Sequence, residues 1–147
     1  MKEQLTRNIA ILGLFLMLAG AGVQAQTPSR VEVKIPFDFN AGEATLKAGT
    51  YSIKRGAGNM LAIRSVDGKS STLLNAPLTI SSRDSKSGER LVFNKYGDQY
   101  YLSQVWLSVE TGRQIFPRAS EGRAAREYKI ANGKKKPERI EVAVRRG

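Results

Sequence analysis

The sequence of 147 residues contains no cysteine and no histidine. The absence of cysteine excludes disulfides, a thiolate nucleophile and a lipid-modified N-terminal cysteine. The absence of histidine removes the commonest general base and the usual nitrogen ligand for metal ions. Any catalysis would therefore depend on oxygen side chains alone, as in glycoside hydrolysis by two carboxylates.

Acidic residues are scarce as well, with 13 Asp and Glu against 24 Lys and Arg. Asp38, between Phe37 and Phe39, is the one carboxylate in an apolar setting that could raise a pKa. The alternation around it favours a simpler interpretation, in which Asp38 caps a turn or faces water between two core rings. The sequence therefore favours a non-enzymatic protein over a carboxylate-dependent hydrolase.

The long uncharged apolar run of the sequence lies at its N-terminus. Lys2 and Arg7 precede residues 9–22, and small residues follow up to Ala25. This order is typical of a secretory signal peptide over residues 1–25. A permanent N-terminal anchor is the alternative, but the run is short for a bilayer and polar sequence follows at once. We expect cleavage near Ala25, export to the periplasm or the medium, and no transmembrane segment in the mature chain.

Residues 26–147 are numerous enough to bury a core without a disulfide or a metal, and no shift in composition divides them. Turn signals recur at the roughly 8–12-residue spacing of all-β domains. The stretch RVEVKI, residues 30–35, alternates apolar and charged residues as a strand with one solvent-exposed face does. Asp67-Gly68 is a strong signal for a β-hairpin. We predict a single mainly β domain, an antiparallel β-sandwich or partly closed barrel.

The longest apolar stretch of this domain predicts its central hairpin. Residues 91–96 and 100–109 flank the turn Tyr96-Gly97-Asp98. Apolar residues on both faces of the second strand indicate that it is covered on both sides. Simple alternation assigns one face to Tyr101, Val105 and Leu107, and the other to Tyr100, Leu102 and Trp106.

One short helix is predicted after Pro117. Ser120 is the expected N-cap, and Ala124, Tyr128 and Ala131 recur on one face at helical spacing. Gly133 supplies the left-handed stop.

The residues after this helix alternate apolar and charged side chains, which a disordered basic tail has no reason to do. We therefore predict a final strand over residues 138–145, at a sheet edge where its charges discourage pairing with other chains.

Two groups of residues are candidates for binding. Tyr100 and Trp106 belong to an aromatic cluster that could stack on a sugar or a base if exposed, although burial in the core is the simpler interpretation. Residues 113–147 carry 11 basic and four acidic residues, so this third of the chain is the candidate surface for an anion. Its candidate binding residues are Arg118, Arg123, Arg126, Lys134, Lys135 and Lys136.

The partner of such a surface would be an anionic envelope polymer, whose phosphates the cations could neutralise, or another envelope protein. The alternative is that the positive charge only keeps the protein soluble in an envelope whose polymers are anionic. Motifs for specific nucleic-acid recognition are absent from the sequence. The loop Asp84–Glu89 lacks the further acidic ligands of a calcium site, and we expect no metal and no cofactor.

Three segments of the sequence resemble a family of uncharacterised secreted bacterial proteins. They are IPFDFNAGEATLKAGTYSI at 35–53, LAIRSVDG at 61–68, and the stretch from YLSQVW to AAREY at 101–128. The resemblance implies a small exported β-rich domain and brings no reaction or ligand with it. The leading hypothesis is a non-enzymatic binding or structural module of the envelope, with an electrostatic adhesin for anionic polymer as the alternative.

Overall fold

In the computed structural model, which describes residues 30–145, the first layer is an antiparallel sheet of four strands. The strands are β1 (Arg30–Ile35), β4 (Gly49–Arg55), β5 (Met60–Ser65) and β6 (Ser71–Asn75). Their order across the sheet is β1-β4-β5-β6. The turn between β5 and β6 contains the predicted Asp67-Gly68 pair, and Gly68 has a φ of 76°. The predicted signal peptide, residues 1–25, lies outside the described residues.

The second layer is a larger mixed sheet. Its strands are β2 (Phe39–Ala41), β3 (Ala44–Leu46), β7 (Leu78–Ser81), β8 (Arg90–Tyr96), β9 (Gln99–Trp106), β10 (Thr111–Gln114) and β11 (Glu138–Ala143). The main order is β11-β8-β9-β10-β7, and the β2–β3 hairpin joins β9 through one parallel bridge. A 3-10 turn (Ser85–Ser87) and helix α1 (Ala119–Asn132) complete the described elements. The prediction of a mainly β fold with one short helix near its end is confirmed.

The two sheets face each other across one core of buried side chains. In the sequence RVEVKI of β1, the three apolar residues are buried and the three charged ones are exposed. Full burial of each such aliphatic or aromatic side chain contributes roughly 1.5–3 kcal/mol. The core draws on both sheets, with Val33, Ile35, Ile53, Leu61 and Ile63 from the first and Phe39, Leu91, Phe93, Leu102 and Val105 from the second.

The β8–β9 hairpin is the central pair of the second sheet, as predicted. Gly97 has a φ of 62° and forms the two-residue turn with Asp98. The second strand is shorter than predicted and ends at Trp106. Beyond it, the Ser108 hydroxyl accepts a hydrogen bond from the Thr111 N–H at 3.0 Å, which closes a turn into β10.

A bulge in this hairpin changes which residues share a face. The register shifts between Val92 and Phe93, so Ser103 of β9 has no partner on β8. The extra residue places Tyr101 and Trp106 on the same face of the sheet, because alternation restarts after a bulge. The predicted assignment of these two residues to opposite faces is therefore wrong. Burial on both sides of the strand is confirmed, since Leu102 lies in the core and Trp106 is buried on the outer face.

Helix α1 begins earlier than predicted. Its N-cap is Arg118, which has an extended backbone and provides no capping hydrogen bond from its side chain. Ser120 lies inside the first turn, so the prediction of Ser120 as the N-cap is wrong. The helix ends at Asn132, and its C-cap Gly133 has a φ of 63° and donates its N–H to the Lys129 carbonyl. Gly133 thus stops the helix as predicted, although its ψ of −126° lies outside the left-handed helical region.

The final strand β11 lies at the edge of the second sheet, as predicted. A single antiparallel bridge between Glu32 and Arg145 connects its end to β1, the edge of the first sheet. The two sheets are joined there, but the described strands do not close into a barrel. The sandwich therefore has one bridged side, β1 and β11, and one open side, β6 and β7.

The backbone of Gly112 lies directly against the Trp106 ring, and a Cβ there would come within 2.6 Å of the ring atom Cδ2. We expect Gly112→Ala to destabilise the fold by about 1–3 kcal/mol, because a packed ring has to move. Gly122→Ala is the matched control in helix α1, where a Cβ meets nothing within 4 Å. That variant should gain up to about 1 kcal/mol from lower chain entropy and better helix propensity. Chemical denaturation measures both, and equal changes would contradict the packing at Trp106.

Candidate anion-binding surface

The structure separates the predicted binding residues into three places. Trp106 lies on the outer face of the second sheet, and Tyr100 lies at the rim of the core on the inner face. The predicted cations lie on helix α1 and in the connection from α1 to β11. The two aromatic residues therefore do not form one site.

Trp106 offers no ring face to a ligand, because it is only 4% exposed. The guanidinium of Arg90 lies 4.4 Å from the ring centroid, and the backbone of Gly112 packs against the ring. The indole Nε1 donates to Gln104 Oε1 at 3.0 Å. These contacts contradict the hypothesis that Trp106 stacks on a ligand.

Tyr100 is half-buried and already stacked within the protein. Its ring lies 3.9 Å from that of Phe37, nearly parallel at 12°. The Lys95 ammonium is 5.5 Å from the centroid of the same ring. Tyr100 thus helps to close the end of the core, and Phe37 already occupies one face of its ring.

A polar network that the sequence pattern does not predict surrounds Trp106 on the outer face. Gln104 accepts from Arg139 Nη2 at 3.1 Å and donates to Gln114 Oε1 at 3.0 Å. Arg90 is buried, and its Nε lies 3.6 Å from Glu141 Oε1 without a hydrogen bond. Because these residues come from four strands, only the register of the sheet brings them together. Their mutual bonds give the network a structural role.

Helix α1 is held on the same sheet by a buried carboxylate. Glu121 is 6% exposed, and its Oε1 accepts from Asn94 Nδ2 at 3.3 Å and from the Tyr96 hydroxyl at 3.2 Å. Its position in the first helical turn places the negative charge at the positive end of the helix. Burial and the charge of Glu121 raise the pKa of Tyr96 to about 12, so Tyr96 remains a neutral donor at physiological pH.

This docking leaves the cations of α1 on the solvent side. Arg123, Arg126 and Lys129 are all exposed and follow one another at three-residue intervals. Side chains at that spacing are neighbours on a helix, about 5–6 Å apart at Cβ. We call the basic surface the exposed cations of the helix and of the connection that follows it, Arg118, Arg123, Arg126, Lys129, Lys134, Lys135 and Lys136.

The lysine connection is attached to the helix rather than extended away from it. The Tyr128 hydroxyl donates to the Lys136 carbonyl at 3.3 Å, and the Lys135 N–H donates to the Asn132 carbonyl at 3.3 Å. The basic surface therefore extends along α1 from Arg118 at its N-cap to Lys136 in the connection that follows it.

Three of the four acidic residues between residues 113 and 147 are buried or paired with cations outside the basic surface. Glu121 is buried, Glu138 pairs with Lys95, and Glu141 pairs with Arg90 and Arg139. Within residues 30–145, none of the seven cations of the basic surface forms an ion pair. Exposed Glu127 is the one acidic side chain of α1 that faces solvent. The surface therefore keeps an uncompensated positive charge.

Carboxylates line two shallow clefts. An open cleft of about 320 Å³ between α1 and the β8–β9 turn contains Asp98 and Glu127, and another of similar size contains Asp38 and Asp98. Glycoside hydrolysis needs one carboxylic acid with a raised pKa. The pKa of Asp38 is shifted the other way, chiefly because its carboxylate accepts the Ala48 N–H at 2.8 Å and also pairs with Lys47 at 3.2 Å. Asp38 is a turn-capping residue.

Metal binding has no support among the described residues, which place no group of three or more acidic side chains where it could hold an ion. In the polar loop, Asp84 accepts hydrogen bonds from the Lys86 N–H at 3.0 Å and the Ser87 hydroxyl at 3.1 Å. Its carboxylate thus closes a local turn. Over residues 30–145 no helix is both long and apolar enough to cross a membrane.

Comparisons with protein-family models, with curated proteins and with solved structures found no match. The family resemblance therefore stays a prediction.

Removal of the Glu121 carboxylate should weaken the docking of α1. We expect Glu121→Ala to lower the free energy of unfolding by about 1–3 kcal/mol, because the part-buried Asn94 and Tyr96 lose their acceptor. Glu127→Ala removes the same charge from the exposed side of the helix and should change stability by less than about 0.5 kcal/mol. Urea denaturation of the two variants beside the parent checks this, and equal losses would contradict the docking role.

The turn around Asp38 predicts a stability change in acid. Because the folded pKa of Asp38 is below its usual value of 3.8, its stabilisation is complete above that pH and disappears as pH falls through the folded pKa. Asp38→Asn should therefore be less stable than the parent at pH 7, and the difference should vanish in strong acid. Denaturation midpoints across pH test this, with Asp98→Asn as the control in an exposed turn. A difference that persists in strong acid would count against this account.

Proposed function

We propose that the protein is an exported, non-enzymatic binding module that holds an anionic polymer of the bacterial envelope on its basic surface. The observation that carries this proposal is the set of seven exposed cations on and after α1, none of which has a carboxylate partner within residues 30–145. Other cations of the same region, such as Arg139 and Lys95, are paired.

An anionic polymer fits this surface for a physical reason. Like charges three or four residues apart on a helix repel each other by a few tenths of a kcal/mol per pair. A polymer that carries regularly spaced phosphates or carboxylates relieves the repulsion along Arg123, Arg126 and Lys129. It also releases its own condensed counterions when lysines neutralise it, and this release drives binding.

The three lysines of the connection add positive charge to the basic surface, and their side chains take no part in holding the fold together. Lys134, Lys135 and Lys136 directly follow the C-terminus of α1, where the helix dipole favours positive charge. They are exposed, and the hydrogen bonds near them use backbone atoms. Their side chains are therefore available to a ligand and can be altered without loss of a structural contact.

Export and the absence of catalysis are supported by the sequence. Residues 1–25 have the order of a signal peptide, which would bring the domain to a compartment rich in anionic polymers. The chain has no histidine or cysteine, and the pKa of Asp38 is lowered where a general acid needs it raised. These features favour binding over a reaction.

The test compares two triple variants that change net charge equally. Lys134→Gln, Lys135→Gln and Lys136→Gln remove charge from the basic surface. The control, Lys34→Gln, Lys54→Gln and Lys69→Gln, removes three exposed lysines from the first sheet and its β5–β6 turn, on the opposite layer of the sandwich.

Binding to teichoic acid and to lipopolysaccharide is measured against salt concentration. We expect the log of the binding constant to fall linearly with log salt for the parent protein. Loss of the three connection lysines should weaken binding on the order of a hundredfold, at about 1 kcal/mol per lysine. It should also flatten the salt slope by up to about 3. Equal effects of the two variants, or no binding at low salt, would overturn the proposal.

A further inference from the structure

The open side of the sandwich is formed by two strands without any charged residue. Residues 70–82, between Lys69 and Arg83, form the longest uncharged run after residue 30, and they contain both β6 and β7. The other pair of edges differs, since β1 carries three charged residues and is bridged to Arg145 near the end of β11. Sheet edges are commonly protected by charge, proline or coverage. Strand β6, with the sequence STLLN, has neither charge nor proline.

The hydrogen bonds at both ends of the β5–β6 ladder fix which backbone groups of β6 point outward. Ser65 donates its N–H to the Ser70 carbonyl, and Ala76 donates to the Asn59 carbonyl. Hydrogen-bonded and non-hydrogen-bonded pairs alternate along an antiparallel ladder. Ser71, Leu73 and Asn75 therefore direct their N–H and C=O groups away from β5.

The side chain at the centre of this edge is apolar and exposed. Leu73 is 66% exposed on the outer face of the first sheet, the highest exposure of any large hydrophobic residue on a described strand. Leu78 of β7, on the same open side, is 48% exposed. The edge thus combines unpaired backbone groups with apolar surface.

We propose that β6 pairs with β6 of a second copy of this chain, antiparallel, across a twofold axis at Leu73. In that register Leu73 lies opposite Leu73 of the second copy, and Ser71 lies opposite its Asn75. The twofold axis repeats the second pair as Asn75 opposite Ser71, so the register has three hydrogen-bonded pairs, each with two backbone hydrogen bonds. The strand is self-complementary in this arrangement, as an isologous interface requires.

Charge explains why the occupant is a second copy and why this edge is used. Two chains that each carry a large positive net charge repel one another wherever their cations meet. Residues 70–82 carry no charge, so β6 can meet β6 of a second copy without placing two cations opposite each other along the strand. The pairing closes at two copies, because an isologous interface uses the same edge of both chains. The β1 and β11 edges carry charges that oppose strand pairing.

A pair of five-residue strands buries less area than the roughly 1,200–2,000 Å² of a stable complex. We therefore expect a weak dimer that forms with increasing concentration. The interaction is separate from polymer binding, since β6 carries none of the basic surface. A dimer would present two basic surfaces to one polymer and so increase avidity.

Because the chain contains no cysteine, a single introduced cysteine can test the proposed register by disulfide cross-linking. In the proposed register the two Cα atoms of residue 73 are about 5.5 Å apart, which suits a disulfide. The two Cα atoms of residue 71 are about 14 Å apart, four residues out of register. We expect Leu73→Cys to form a covalent dimer under mild oxidation and the matched control Ser71→Cys on the same edge to remain monomeric.

Sedimentation of the uncrosslinked protein gives a second measurement. Leu73→Lys and Leu73→Pro should both abolish the concentration-dependent dimer, the first by charge and the second by removal of an outward N–H that β5 does not use. Thr50→Lys, an exposed site on strand β4 of the same sheet, should leave it unchanged. A parent protein that stays monomeric at millimolar concentration, or equal cross-linking of Leu73→Cys and Ser71→Cys, overturns the proposal.

Discussion

The β8–β9 ladder is the constraint on which the rest of the molecule depends, because both of its faces are buried by different parts of the chain. Leu91 and Leu102 fill the core between the sheets. On the outer face, Tyr96 and Asn94 bind the Glu121 carboxylate that docks helix α1. The bulge at Ser103 places Tyr101 and Trp106 together on the outer face of β9, while Leu102 stays in the core. The helix and its cations are presented to solvent as a consequence.

The same ladder determines where charge is left over. Strand β11 pairs with β8 in a register that puts Glu138 beside Lys95 and Glu141 beside Arg90. Those pairs engage Glu138 and Glu141, and docking engages Glu121, so Glu127 alone stays exposed on the helix. Positive charge is thereby concentrated on α1 and its connection, while strands β6 and β7 at the open side carry no charged residue. One surface suits an anionic polymer and the other suits a second copy of the chain.

Much of the fold follows from local pattern, and the rest depends on contacts that sequence does not reveal. The alternation in RVEVKI and the glycines at turns predict strands and hairpins correctly, because side-chain period and positive φ are local properties. Simple alternation does not reveal the extra residue at Ser103, and it therefore assigns Tyr101 and Trp106 wrongly to opposite faces. The capping pattern predicts the helix start at Ser120, but the N-cap is Arg118, whose side chain makes no capping hydrogen bond. The cations of the candidate surface could be identified from sequence, but their lack of partners depends on the β8–β11 register.

The central claim is that an anionic polymer binds the basic surface, and amide chemical shifts measured during titration with teichoic acid test it most directly. We predict that shifts at low salt are concentrated between Arg118 and Lys136 and decline as salt is added, because exposed charges are screened. The amides of β1, β4 and β5 should change little. Shifts centred on the network around Trp106 or on the first sheet, or none at low salt, would contradict the account.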